Sequence, residues 1–212
     1  MNRSMVLKTF AVLTACVAWC ALGMQLVLII EKMTNEGASV PQAIWRFFGF
    51  FTILTNCAVA VVATAIAVRP NSVMANAKAR LATATAITIV GLVYSVALRA
   101  IWHPTGWQAV VDHALHDATP VLFVLAWFFS DHGHLQWRNF MAAVLPALVY
   151  FIYALFRGAV DGWYAYWFLD PASLPPAQMA MNVAILLLAF SIIAFGFIGL
   201  DKWLAPQNTS SD

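Results

Sequence analysis

The chain has 212 residues, of which 63% are hydrophobic and 9% charged, with a mean hydropathy of +0.81 and a formal net charge of +2. A soluble domain carries about 25% charged residues, so this composition excludes a water-soluble globular protein, and the near-neutral charge offers nothing to a nucleic-acid partner. Three cysteines, all inside apolar runs, exclude a disulfide framework.

Six apolar stretches are each matched to a hydrocarbon core ~30 Å thick, which takes about 20 helical residues to cross. The first, Leu7 to Ile30, follows Arg3 and Lys8. It is too long for the apolar core of a signal peptide and reads as an uncleaved first span. The second runs from Phe47 to Val68, the third from Ala79 to Ile101 and the fourth from Gln108 to Phe129. The fifth, Phe140 to Phe156, is the shortest, and the sixth covers Ala177 to Leu200. Cys16, Cys20 and Cys57 fall within spans, where cysteine acts as a small apolar packing residue. The chain left outside the spans is too short for a soluble domain. The expected architecture is therefore all-α, one six-helix transmembrane bundle over residues 1–212.

Basic residues set the orientation. Arg3, Lys8, Arg69, Lys78, Arg80, Arg138 and Lys202 lie on the side of the termini, against Lys32, Arg46, Arg99 and Arg157 on the other. Positive charge favours the cytoplasm, which predicts cytoplasmic N- and C-termini.

Ionisable groups inside a span mark function. The fourth span opens Gln108-Ala-Val-Val-Asp112-His113-Ala-Leu-His116-Asp117, and an acid at the centre of a membrane helix costs about 3 kcal/mol on insertion scales. Asp112 is four residues before His116 and Asp117 four after His113, so each imidazole has a carboxylate on its own helical face, which fixes a tautomer and raises basicity. Pro120 has no N–H for the carbonyl of His116, predicting a loosened helix there and a carbonyl free for water or a substrate group. In the second span Thr52 and Asn56 share a face, with Thr55 three residues along from Thr52. Counted from the span ends, Thr52 lies about 9 Å deep, His116 about 12 Å and Asn182 about 8 Å. Gln25, Tyr94, Ser95, Arg99, Tyr150 and Tyr153 fall in the same layer. The other half of the bundle offers mainly Thr14, Thr64, Thr83, Thr85 and Ser191, whose hydroxyls bond their own backbone. The asymmetry predicts a polar cavity in the half of the bundle away from the termini.

Three stretches carry a resemblance: Arg46-Phe-Phe-Gly-Phe-Phe-Thr52-Ile-Leu-Thr-Asn56; His113-Ala-Leu-His116 followed by Pro120-Val-Leu-Phe; and Trp163-Tyr-Ala-Tyr166-Trp-Phe168-Leu169-Asp170. Together they resemble the androgen-induced-gene (FAR-type) multipass membrane hydrolase family and its bacterial relatives. The resemblance implies a multi-pass protein of the cell inner membrane that needs no cofactor. It also implies a threonine nucleophile and the second histidine of a His-x-x-His segment, which fall here on Thr52 and His116, acting on a lipid ester of the kind formed between a fatty acid and a hydroxy fatty acid.

The residues suggest the supporting roles. Asn56 or backbone N–H groups are candidates for the oxyanion, Asp112 for orienting His116, and Arg99 or Arg157 for a carboxylate or phosphate head group. His113, Asp117 and Asn182 complete the polar layer. The aromatic stretch Trp163 to Phe168 reads as an interfacial segment over the cavity mouth. Two other classes fit the same layer. One is a metal-dependent hydrolase using His113, His116, Asp117 and His103, and the other a non-enzymatic transporter or lipid-binding protein.

Overall fold

The computed structural model describes residues 2–206. In chain order its helices are α1 (Arg3–Asn35), a short α2 (Val40–Phe47), α3 (Phe51–Val68), α4 (Ala77–Leu98), α5 (Gly106–Phe128), α6 (Trp137–Asp161) and α7 (Pro176–Trp203). All but α2 are long and apolar enough to span a membrane, which bears out the six-helix all-α bundle. Helix α4 lies at the centre with α3, α5, α6 and α7 packed on it, and α1 closes the bundle against α3 and α5. Where helices meet without help from water, small residues bring backbones close. The fully buried Ala11 and Ala18 of α1, Ala60 and Ala63 of α3 and Ala84 of α4 do this here.

Both termini lie at one end of the bundle. Arg3 donates to the carbonyl of Ser130 at 2.8 Å, and Asp201 near the end of α7 accepts from the Leu135 N–H at 2.9 Å. The connections that follow α1, α4 and α6 meet at the opposite end, called here the site end.

The second span differs from its expected form. It does not start at Phe47, because the chain turns at Phe48–Phe50 and a new helix starts at Phe51. A break at membrane depth must satisfy its own backbone. The Tyr150 hydroxyl donates to Gly49 O and the Tyr153 hydroxyl to Phe48 O, each at 3.0 Å, while Arg157 Nη2 donates to Trp45 O at 2.5 Å. Gly49 is required by close approach. A Cβ there would lie 2.7 Å from the Trp163 ring and 2.9 Å from Arg157 Nη1. The fifth span, expected to be the shortest, extends over 25 residues as α6. Cys16 and Cys20 are exposed on the outside of α1 rather than packed, and only Cys57 is partly buried.

Candidate functional site

The break before α3 determines where Thr52 sits. It is the second residue of α3, in the first turn, where backbone N–H groups have no helical partner and the positive end of the helix dipole points outward. The depth counted from Arg46 does not apply, since Arg46 belongs to α2. Four residues on, Asn56 is wholly buried, and its Nδ2 donates to Thr52 O at 2.9 Å and to Leu115 O at 3.3 Å, tying α3 to α5.

Helix α5 brings His116 to the same point. The residue lies in a π-turn over Ala114–Ala118, where the missing N–H of Pro120 leaves the α-helical ladder without its bond to His116 O. That carbonyl is turned toward α4. It faces Gly91 of α4, where a Cβ would lie 3.3 Å away. The imidazole Nε2 is 3.3 Å from Thr52 Oγ1. Its Nδ1 is 3.0 Å from Asp112 O and 3.4 Å from Asp112 Oδ1. Two acceptors at Nδ1 place the proton there, so Nε2 presents a lone pair to the threonine hydroxyl. Asp112 is buried and its carboxylate is satisfied on both oxygens, by the Tyr94 hydroxyl and by Trp102 Nε1 at 3.2 Å. Tyr94 also stacks on the His116 ring with centroids 4.1 Å apart, from a second π-turn at Tyr94–Leu98 of α4.

Thr52 and His116 open onto a small cavity of about 40 Å³ between α3, α4, α6 and α7. Its walls are mainly apolar, including Ile89, Val93, Phe151, Leu186 and Phe190, and its polar lining consists of Thr52, His116 and the phenols of Tyr94, Tyr150 and Tyr166. Thr55 does not share this space. It lines a separate lipid-facing groove of about 510 Å³ between α3 and α6, floored by Ala82, Thr83 and Ala86 of α4. Phe51 and Tyr150, with ring centroids 4.9 Å apart, border both.

The segment between α6 and α7 folds into the mouth of the cavity rather than lying along a surface. Gly162, at φ +73°, ends α6 in the left-handed conformation that glycine adopts without strain. Trp163 packs edge-on against Phe50, while Phe168 stacks on Tyr166 at 5.1 Å; Tyr166, Phe168 and Leu169 line the cavity. Asn182 of α7 stands outside the cluster around Thr52 and His116. It donates to Phe168 O at 3.0 Å and accepts from Gln178 Nε2 at 3.1 Å, so it holds this segment down. Tyr166 reaches the site from a stretch whose aromatic density signals only an interface, and no spacing rule would have singled it out.

The two arginines differ. Arg99 is exposed, pairs with Asp117 and lies over the Tyr94 ring. Asp117 also meets His113 Nδ1 at 2.7 Å, which sets His113 and Asp117 on the outside of α5, away from Thr52. Arg157 is buried, with its guanidinium 3.9 Å from the Trp45 ring and both Nη atoms bonded to protein, so it acts on the α2–α3 break. Burial holds the nearby Arg46 below the ordinary arginine range, opposed by Asp161 and reinforced by Arg157. Gln25 and Gln108 meet at 2.8 Å across α1 and α5. Among the described residues no group of three or more His, Cys, Asp or Glu side chains converges on a point. Comparison with family models, with curated proteins and with solved structures gives no match to this chain, so the site is read from its own residues.

Proposed function

We propose that this six-helix membrane protein is an intramembrane hydrolase of lipid esters, with Thr52 as nucleophile and His116 as general base. The observation that carries the reading is the 3.3 Å approach of Thr52 Oγ1 to His116 Nε2 at the wall of an apolar cavity. A hydroxyl and an imidazole within reach, with the imidazole oriented by a third group, form the arrangement that activates a weak nucleophile. Asp112 is the third group, and Tyr94 and Trp102 keep its carboxylate in place. Asn56 positions Thr52 against α5.

His116 Nε2 takes the Thr52 proton as Oγ1 attacks the ester carbonyl, and the same nitrogen returns the proton to the departing alkoxide. Water, deprotonated by Nε2, then hydrolyses the acyl-threonine. The apolar walls suit a fatty-acyl chain and exclude bulk water from the intermediate. The resemblance to the androgen-induced-gene family and its bacterial relatives supports esters of hydroxy fatty acids as substrates and a bacterial inner membrane, and the excess of basic residues on the side of the termini supports cytoplasmic termini.

The test is release of fatty acid from such esters by the purified protein in proteoliposomes. Hydrolysis by wild type, lost in Thr52→Ala and in His116→Ala, is expected. Equal hydrolysis by wild type and Thr52→Ala would overturn the reading.

A further inference from the structure

An oxyanion formed on Thr52 needs hydrogen-bond donors that are free and already in place. Most donors near the cluster are engaged. The Asn56 amide bonds two backbone carbonyls, the Tyr94 hydroxyl donates to Asp112 and the Tyr150 hydroxyl to Gly49 O. Tyr166 is the exception. Its hydroxyl accepts from the Thr52 N–H at 3.5 Å, a loose contact beside the usual 2.9–3.0 Å, and its own O–H is bound to no backbone carbonyl or carboxylate but lies beside the Thr52 and Tyr150 hydroxyls, weak partners that a developing oxyanion displaces. Phe168, stacked on one face, and the Phe50 and Tyr150 rings, set edge-on at 6.5 and 6.4 Å, hold the phenol at the cavity wall.

Resting on the hydrolase reading above, we infer that Tyr166 is a further catalytic residue, whose O–H donates to the oxyanion of the tetrahedral intermediate alongside the Thr52 N–H. When Oγ1 bonds the carbonyl carbon, the π pair moves to the carbonyl oxygen. That oxygen enters between the phenol and the N–H and replaces their loose mutual contact. Tyr166 keeps its proton throughout, because proton transfer runs between Oγ1, His116 and the leaving alkoxide. Burial pushes its phenol above the ordinary tyrosine range, which keeps the donor protonated at working pH. The N-terminal position of Thr52 in α3 adds the positive end of a helix dipole at the same point. The segment between α6 and α7 thus completes the catalytic centre as well as covering it.

The experiment measures p-nitrophenyl decanoate turnover by the full chain in nanodiscs, with Thr52→Ala as blank, comparing wild type, Tyr166→Phe and Tyr164→Phe. Tyr164 packs on Gly158 and serves as a control for the segment. The expected result is a kcat lower by about 100-fold in Tyr166→Phe with KM within about threefold, and both constants within about twofold in Tyr164→Phe. A kcat within about threefold of wild type, or a change confined to KM, would overturn the inference while leaving the Thr52 reading intact. Wild-type turnover no greater than the Thr52→Ala blank would overturn both. If Tyr166→Phe melts well below wild type, 2,3-difluorotyrosine at position 166 decides, since it keeps the ring and hydroxyl but acidifies the phenol. An alkaline loss of kcat absent from wild type supports donation, and an unchanged pH profile overturns it.

Discussion

Among the described residues a His–Asp pair lies inside the bundle at each end, His132–Asp201 and His116–Asp112, and the two differ in what the second ring nitrogen meets. At the terminal end His132 Nδ1 lies 3.3 Å from Asp201 Oδ1 and Nε2 lies 3.0 Å from Phe128 O, so both nitrogens face fixed protein acceptors. Asp201 also accepts from the Leu135 N–H, and the pair clamps the α5–α6 connection to α7. At the site end His116 likewise gives Nδ1 to Asp112, but its Nε2 faces the Thr52 hydroxyl at the wall of a cavity. An imidazole beside a carboxylate is thus no sign of chemistry in itself. One nitrogen must be left for a group that reacts, with room for a substrate beside it.

Exchanging the roles of the two pairs should fail. Thr52→Ala and His116→Ala should each lower lipid-ester hydrolysis by about 10³-fold or more, whereas His132→Ala should keep kcat within about threefold, as a turnover assay on the three variants will read. Asp112→Asn should lower kcat by about 10²-fold, because Nδ1 then faces an amide in place of a carboxylate. The terminal pair should respond in stability instead. Removing one partner of a buried pair costs about 3 kcal/mol, so His132→Ala should unfold at markedly lower denaturant, and a loss of activity without a loss of stability would break the contrast. Gly49→Ala, which drives a Cβ against Trp163 and Arg157, should destabilise the site end by about 1–3 kcal/mol, read by thermal unfolding. The smallest effect belongs to Thr55→Ala. Its hydroxyl opens onto the lipid-facing groove, and hydrolysis should stay within about twofold of wild type.

The spans are legible in the sequence because an apolar run of about 20 residues matches the thickness of a bilayer and has no stable place in water. The approach of α3 to α5 at Thr52 and His116 is suggested by similar depth in the membrane, although a depth for Thr52 counted from Arg46 starts on the wrong helix. The break at Phe48–Phe50 escapes a reading of the sequence because its residues are as apolar as the spans around them. Its cause is distant along the chain, in the Tyr150, Tyr153 and Arg157 groups that take the freed carbonyls. Pro120 does announce the loosened turn at His116, yet not that the carbonyl lies against Gly91 of α4. Arg157 is indistinguishable from an interfacial arginine until its aromatic shell can be seen. Tyr166 is hidden for a similar reason, since the same aromatics anchor a surface segment or line a cavity depending on how the connection folds.

The central claim is that Thr52 is an activated nucleophile. Labelling the detergent-purified chain with a fluorophosphonate, followed by mass spectrometry of the modified peptide, reads this directly. The account predicts phosphonylation on Thr52, abolished in His116→Ala and retained in Thr55→Ala. A folded wild-type protein that takes no label, or takes it at Thr55, would contradict it.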